Sequence, residues 1–190
     1  MQFNKIETLW GLFLEGDTNA FSSLFKTFYP SLRSYGLKLS GNEAITEDCL
    51  HNLFIYLYDN RKKLGEVNNV KSYLFVSFRR ALFLSLKKER IFIDYDSVNA
   101  NTNFEFSSEE LTIKQEFTTA KSDTVSYILN KLSVREREVI YLKYYSNLKT
   151  PEIASVMEIS YQSVLNTLQK AFGKLRKTIE DDMLSKVLKK

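Results

Sequence analysis

The sequence predicts an all-α protein of two small helical domains joined by a flexible linker, the second domain containing a helix-turn-helix. The chain of 190 residues has only six glycines and two prolines, which leaves few places for tight turns. Apolar residues recur at three- and four-residue spacing along most of its length, the period of an amphipathic helix. No segment has the sustained alternation of a strand. We therefore expect domains at 1–90 and 121–190, with the linker at 91–120.

Charge falls into three blocks that coincide with these divisions. Residues 1–90 hold 13 Lys/Arg against 9 Asp/Glu, residues 91–120 hold 1 against 6, and residues 121–190 hold 13 against 8. Two basic blocks on either side of an acidic middle suit a polyanionic partner. A few charges per block are equally compatible with an ordinary solvated surface.

Several classes of protein are disfavoured by the sequence. No apolar run approaches the length of a membrane span, and the start MQFNKIETLWG lacks the pattern of a signal peptide. The single Cys49 excludes an internal disulfide and, with the single His51, leaves little for a structural zinc site. The sequence has no glycine-rich phosphate loop, metal-ligand cluster or triad-like set. We expect a cytoplasmic protein that is not an enzyme and needs no metal or cofactor.

The first domain begins with two predicted helices. Residues 6–14 form a short amphipathic helix that Gly16 and Asp17 end, and Asp17 or Thr18 caps the next helix. Pro30 is expected to bend or divide that second helix. Its apolar positions recur at helical spacing and comprise Phe21, Leu24, Phe25, Phe28, Leu32 and Tyr35.

Residues 42–61 give the strongest helix signal of this domain. Its apolar side comprises Ile45, Cys49, Leu53, Tyr56 and Leu57. Its polar face comprises Glu43, Glu47, Asp48, His51 and Asn52. We interpret His51 as an exposed contact residue rather than a general base, because no Ser or Cys nucleophile accompanies it.

A polar connection over 62–69 leads to a long predicted helix over 70–88 in which aromatic residues alternate with cations. From 61 to 90 the chain carries nine Lys/Arg and two Glu. Aromatic rings among cations can stack bases and neutralise the backbone of a separated nucleic-acid strand. The alternative is that these rings are core residues. We expect core positions at Leu74, Phe78 and Leu82, and contact positions at Tyr73 and in the loop before it.

The acidic residues 91–120 lose the helical period. We expect a flexible linker of about 20–25 residues that ends in a helix starting near Ser107 or Ser108. The acidity would also allow the linker to mimic nucleic acid or to thread a basic channel. A solvated spacer is the simpler interpretation.

The second domain is predicted to start with two helices. The first has the apolar positions Val125, Ile128, Leu129 and Leu132. Ser133 caps the second, and Glu136 three residues later completes a capping box. The inner side of that helix comprises Val139, Ile140, Leu142 and Tyr145.

Residues 150–175 predict the helix-turn-helix. Thr150 caps its first helix with Pro151 in the first turn, Ile159 is the buried residue of the turn, and Ser160 caps the second helix. The inner stripe of that second helix comprises Val164, Leu168, Ala171 and Leu175. Its outer face comprises Tyr161, Gln162, Ser163, Leu165, Asn166, Gln169 and Lys170. Such amides, hydroxyls and cations suit a major-groove reader, while an ordinary helical hairpin is the plainer alternative.

The order of these parts resembles a known family. Residues 46–54, TEDCLHNLF, are similar to an Ala-Glu-Asp-Leu-Val-Gln-Glu-Val-Phe pattern. Residues 132–139, LSVREREV, are similar to a Leu-Pro-x-x-x-Arg-Glu-Val pattern, and Glu152-Ile153-Ala154 follows at the expected distance. No single motif is specific, but their order and spacing extend over nearly the whole chain. The chain resembles a bacterial RNA polymerase sigma factor of the extracytoplasmic-function (ECF) group.

The resemblance implies a protein that binds core RNA polymerase, recognises the −10 and −35 promoter elements and promotes DNA melting. It assigns polymerase binding to Glu47, Asp48, His51, Asn52, Phe54 and Tyr58. It assigns the −10 element to Lys62, Lys63, Asn68, Asn69, Lys71, Tyr73, Arg79 and Arg80, with a pocket for a flipped base in the 62–69 loop. It assigns the −35 element to Tyr161, Gln162, Ser163, Asn166, Gln169, Lys170 and Lys174. It also implies an anti-sigma factor as a partner, and a monomer when the protein is free.

Two other functions remain open at this stage. The first is a helix-turn-helix regulator whose helical N-terminal domain senses a ligand and which acts without being a polymerase subunit. The interleaved segment at 73–88 and the polar face at 47–52 argue against it, because a sensor domain needs neither. The second is a helical adaptor that binds only proteins, which leaves the basic blocks and the helix-turn-helix spacing unexplained.

Overall fold

The structure is a computed structural model that describes residues 5–91, 104–107 and 119–188. Within these residues all regular structure is helical, and the predicted all-α fold is confirmed. The chain forms two compact units, Met1–Thr102 and Asn103–Lys190. None of the helices in the described ranges combines the length and the apolar character that a membrane crossing requires.

Four helices build the N-terminal unit: α1 (Lys5–Glu15), α2 (Thr18–Ser40), α3 (Glu43–Asn60) and α4 (Val70–Ile91). A 3₁₀ turn, Arg61–Lys63, follows α3. Helix α2 packs on α1, α3 and α4, so it lies at the centre of the unit. The most deeply buried side chains come from all four helices and include Phe13, Leu32, Tyr35, Leu50, Phe75, Phe78 and Leu82.

Local interactions fix both ends of α2, and the cap at its start is the one that the sequence predicts. The Asp17 carboxylate accepts from the backbone N–H groups of Asn19 and Ala20 at 2.7 and 3.1 Å. At the other end Gly41 takes a left-handed conformation, φ 62°, which costs a glycine little. Pro30 lies inside α2 and does not divide it. It is on an exposed face of the helix, where water can replace the missing hydrogen bond.

Gly36 marks the closest approach of three helices. A Cβ atom at this position would lie 2.6 Å from Cζ of Phe78 on α4 and 2.7 Å from Cγ2 of Thr46 on α3. Both distances are shorter than any ordinary contact between carbon atoms. The helices can therefore reach this separation only because residue 36 has no side chain.

The described C-terminal unit contains α5 (Thr119–Asn130), α6 (Val134–Ile140), α7 (Thr150–Met157) and α8 (Tyr161–Leu188), with a wider π-helical turn, Tyr141–Tyr145, continuing α6. The predicted capping box at the start of α6 is present. The Ser133 backbone N–H donates to the Glu136 carboxylate at 2.8 Å, and the Glu136 N–H donates to the Ser133 hydroxyl at 3.4 Å.

The sequence-based description of 91–120 as a solvated spacer is wrong at Phe104 and Phe106, whereas Glu105 and Ser107 are exposed. Phe104 and Phe106 are 0% and 2% exposed and pack in the C-terminal unit. The pattern was missed because two apolar residues separated by one acid are too short a signal in an acidic segment. Ser107 is not helical, and Ser108, with the rest of the predicted linker at 92–103 and 108–118, lies outside the described residues.

Candidate protein and nucleic-acid interfaces

An apolar cleft lies between α2 and α3, on the face predicted to contact polymerase. Its volume is about 390 Å³, and its walls are Phe21, Phe25, His51, Phe54, Ile55, Tyr58 and Asp59. Three of the predicted contact residues, His51, Phe54 and Tyr58, are thus brought together in one place. We call this surface the α2–α3 cleft.

The residues of the α2–α3 cleft differ in depth. Phe54 is only 4% exposed and forms the floor, with its ring 4.8 Å from that of Phe25 and 6.2 Å from that of Phe21. Ile55 is 57% exposed at the rim. Ile55 was not among the predicted contact residues, although its spacing of four residues from His51 and three from Tyr58 places all three on one helical face. An aliphatic side chain this exposed beside an apolar cleft is a candidate contact residue.

Glu47 has a different environment from the one predicted. Its carboxylate accepts hydrogen bonds from the Tyr29 hydroxyl and from Arg33, which also pairs with Glu43. These bonds, first from Tyr29 and then from Arg33, hold the pKa of Glu47 below its usual value. Glu47 therefore joins α3 to α2, whereas the neighbouring Asp48, His51 and Asn52 are exposed.

A second cavity lies between α1 and the connection to α4, near the predicted −10 residues. Its volume is about 450 Å³, and it is lined by Glu7, Thr8, Trp10, Gly11, Glu66 and Val67. The predicted pocket was placed in the 62–69 loop. That loop supplies Glu66 and Val67 to this cavity, and the other lining residues belong to α1. We call this space the α1 cavity.

Trp10 links α1 to the loop and to α4. Its indole N–H donates to the Gly65 carbonyl at 3.2 Å. Its ring also meets Tyr73 edge-on, with 5.5 Å between centroids. Burial is the main cause that raises the pKa of Tyr73. Sequence reasoning could not find this arrangement because Trp10 and Gly65 are 55 positions apart.

The other predicted −10 residues occupy several environments. Lys62, Lys63 and Asn68 are exposed beside the loop, and so is Arg80 further along α4. Asn69 acts as a helix cap, since its side-chain oxygen accepts from the Ser72 N–H at 2.7 Å. Lys71 and Arg79 are half-buried, and the Arg79 guanidinium lies over the Phe83 ring at 4.5 Å. The expected core residues Leu74, Phe78 and Leu82 are buried, which confirms that prediction.

Removing the Trp10 indole N–H should weaken the support of the loop. We expect Trp10→Phe to cost about 2–4 kcal/mol, because the hydrogen bond to the Gly65 carbonyl is lost and the smaller ring leaves a cavity at this buried position. If the loop reads DNA, the variant should also flatten base preference at the −10 element in transcription from a randomised library. Phe13→Leu, which changes a neighbouring buried ring, is the matched control. Equal base preference in Trp10→Phe and the unchanged protein would contradict this role.

The helix-turn-helix forms from α7 and α8 with small differences at its boundaries. Lys149 precedes α7 in extended conformation and its N–H donates to Glu152 at 2.7 Å, so Thr150 is the first helical residue rather than the cap. Ser160 caps α8 as predicted, accepting from the Ser163 N–H at 3.1 Å. Ile159 is half-buried and closes the turn less completely than expected.

The outer face of α8 carries the predicted reading residues. Tyr161, Gln162, Asn166, Gln169 and Lys170 are exposed, and Ser163 is half-buried. The Gln162 amide donates to the Asn166 side-chain oxygen at 3.1 Å, so the orientation of each amide group depends on the other. The inner residues Val164, Leu168 and Ala171 are buried.

Lys174 has a partner within the protein. Its ammonium contacts the Glu136 carboxylate at 2.8 Å. Burial acts to raise the pKa of Glu136, but hydrogen bonds from Lys174 and Ser133 outweigh it and keep the pKa below its usual value. The sequence assigned Lys174 to DNA, whereas here its charge compensates a buried carboxylate on α6.

Part of the C-terminal unit is similar to a known protein family. Residues 122–175 match the family described as Sigma-70, region 4. This part of the C-terminal unit resembles a sigma-70 region 4 domain, and we call residues 122–175 the region 4 domain. The match spans α6, α7, the turn and α8 as far as residue 175. It includes Glu136 and Lys174, so the capping box and its ion pair lie inside the region 4 domain.

Solved structures show the same fold over most of the chain, while no curated protein matches it. CnrH, solved in complex with the cytosolic domain of CnrY, is 18% identical with a TM-score of 0.61, and the match covers 94% of this chain and 99% of that one. The sigma factor RpoE from Bartonella quintana, solved with the anti-sigma factor NepR, is 16% identical with a TM-score of 0.60, covering 84% and 96%. Together with the region 4 domain, these matches confirm the predicted sigma-factor resemblance and favour it over the ligand-sensing regulator.

Proposed function

We propose that this protein is an alternative sigma factor that binds core RNA polymerase, recognises the −10 and −35 elements and promotes DNA melting. The observation that carries the proposal is the region 4 domain with an exposed, amide-rich face on α8. The protein would act in the cytoplasm with the polymerase and catalyse no reaction of its own.

Polymerase is proposed to bind at the α2–α3 cleft. Exposed polar side chains, Asp48, His51 and Asn52, lie on α3 beside an apolar depression edged by Ile55 and Tyr58. This combination of an apolar centre and a polar rim is typical of protein interfaces. Glu47 would support the surface from below through its bonds to α2 rather than contact the partner.

The N-terminal unit is proposed to hold the separated strand of the −10 element. Exposed cations at 62–63 and on α4 would neutralise phosphates, and the α1 cavity would receive an unstacked base. Extruding a base costs a few kcal/mol, which stacking and pocket contacts offset. The carboxylates of Glu7 and Glu66 border this cavity, so a base with an exocyclic amino group would supply matching donors.

The outer face of α8 is proposed to read the −35 element in the major groove. Gln162→Ala or Asn166→Ala should relax base preference there and cost about 1–3 kcal/mol per lost base contact. Because the two amides are hydrogen-bonded, the double variant should lose less than the sum of the single losses. Lys170→Ala, expected to affect all sequences alike, is the control in binding measured across single-base promoter variants. A uniform loss for Gln162→Ala would mean that it contacts phosphate.

An anti-sigma factor is the proposed regulatory partner. RpoE, one of the structures that share this fold, was solved with its anti-sigma factor NepR. The match covers 96% of the RpoE chain, and this shared fold supports the proposal of a similar partner here.

Reconstituted transcription tests the proposal. Core RNA polymerase and a promoter library should give specific run-off transcripts only when the protein is added. Polymerase binding would be measured in parallel at moderate salt, since salt screens charge-driven association. Absence of polymerase binding with retained duplex binding would overturn the proposal and support the stand-alone regulator.

A further inference from the structure

Residues 104–107, which we call the strap, are packed into the region 4 domain. The Phe104 ring meets Tyr141 edge-on at 5.4 Å, and the Phe106 ring lies 5.3 Å from that of Tyr145. The two tyrosine rings are parallel, 5.3 Å apart, on the π-helical turn. Both phenylalanines are buried, and burying such a side chain contributes about 1.5–3 kcal/mol. The strap is therefore part of the domain's core.

One side chain also fixes the strap's backbone. Asn130, the last residue of α5, accepts from the Phe106 N–H at 2.9 Å and donates to the Phe106 carbonyl at 3.0 Å. Arg137 donates to the same Asn130 oxygen at 3.4 Å. The amide thus satisfies both backbone groups of Phe106 and holds the chain in one direction and register.

The strap shortens the chain that joins the two units. Ile91, the end of α4, is 13 residues before Phe104 and 28 before Thr119, where α5 begins. A polypeptide spans at most about 3.6 Å per residue, so these limits are about 47 and 100 Å. They hold whatever conformation the intervening residues take. Fixing the strap therefore reduces the largest reach by about half.

We propose that the strap limits the distance between promoter elements that the protein can contact at once, with Phe104, Phe106 and Asn130 as its positioning residues. This inference rests on the proposed function. Duplex DNA rises 3.4 Å per base pair, so a difference of about 50 Å corresponds to about 15 base pairs. The DNA between the −10 and −35 elements is the promoter spacer. A difference of this size is large enough to decide which spacer lengths the protein can use. When two promoter elements lie farther apart than this reach, the two units cannot bind both at once, and linking the units in one chain then adds no affinity.

The same insertion on either side of the strap tests this idea. A ten-residue Gly-Ser segment after Ser97 lies before the strap and should lengthen the tether. The same segment after Thr112 lies beyond the strap and should leave the reach unchanged. Energy transfer between labels at Thr27→Cys and Ser155→Cys, in a Cys49→Ala background, measures the distance in the full-length protein without polymerase. Asn130→Ala should make the second insertion behave like the first.

Transcription from promoters whose spacer is lengthened one base pair at a time gives the second readout. For each variant, the readout is the activity on a spacer three base pairs longer than the best one, divided by the activity on the best spacer. The insertion after Ser97 should raise this ratio about fivefold, and the insertion after Thr112 should leave it unchanged. Equal label distances for both insertions would overturn the strap's role while leaving the sigma function intact. Different distances with no transcription at any spacing would instead contradict the proposed function. Different distances with identical spacer profiles would overturn the inference about promoter spacing.

Discussion

An Ile55→Asp variant should bind core RNA polymerase about 10- to 100-fold more weakly than the unchanged protein, because it places a carboxylate at the rim of the α2–α3 cleft. Burying an isoleucine side chain at an interface contributes about 1.5–3 kcal/mol, and each 1.4 kcal/mol is tenfold in affinity. Ile55 is 57% exposed in the free protein, so its replacement should leave folding unchanged. Fluorescence anisotropy with labelled protein and unlabelled core enzyme measures the affinity.

Leu84→Asp is the matched control for this substitution. Leu84 is 61% exposed on α4 and lines neither cavity. Its replacement by Asp therefore makes the same charge change at a comparable exposed aliphatic position. We expect it to keep its affinity for core enzyme. If both variants lose affinity equally, the effect is one of net charge. If Ile55→Asp binds as tightly as the unchanged protein, the α2–α3 cleft is not the docking surface.

A methyl group at Gly36 should destabilise the N-terminal unit more than any surface change. Gly36→Ala would place Cβ within 2.6 Å of the Phe78 ring and 2.7 Å of the Thr46 methyl group, so α2 must move away from α3 and α4. Such overpacking costs about 1–3 kcal/mol and sometimes more, which exceeds the alanine's gain in helix propensity of about 1 kcal/mol. Urea unfolding followed by fluorescence of Trp10, the single tryptophan, reports on this unit alone.

Gly11→Ala provides the comparison. Gly11 also lies inside a helix, but no atom is within 4 Å of a Cβ built there. Its replacement should raise the urea midpoint, since alanine favours a helix over glycine by about 1 kcal/mol. Opposite shifts of the midpoint in the two variants are expected. A midpoint for Gly36→Ala at or above that of the unchanged protein would show that the three helices adjust without cost.

Features that depend on neighbours in the chain were predicted well. The caps at Asp17, Ser133 and Ser160 were found because each cap bonds to an N–H two or three residues later. The order of motifs was enough to indicate a resemblance to sigma factors, and the region 4 match over residues 122–175 supports the C-terminal part of that resemblance. The first residue of α7 was off by one, because Lys149 and Thr150 compete for the cap and only the backbone geometry decides between them.

Contacts between distant residues account for most of what was missed. The role of Glu47 depends on Tyr29 and Arg33, and the partner of Lys174 is Glu136, 38 positions earlier. Ile55 was overlooked because an exposed isoleucine gives no signal until the cleft beside it is known. In each case the residue type could have formed its contact with several other residues of the chain, so the sequence alone did not specify the partner.

The sequence by itself determined that the chain is helical, where the helix-turn-helix lies and which side of α8 faces outward, because apolar spacing and capping are local properties. The tertiary structure decided which buried faces meet. It placed Trp10 against Gly65, and the strap against Asn130 and the tyrosines of the π-helical turn. The physical reason is that apolar periodicity reports that a side is buried but not what covers it. Only packing specifies the partner.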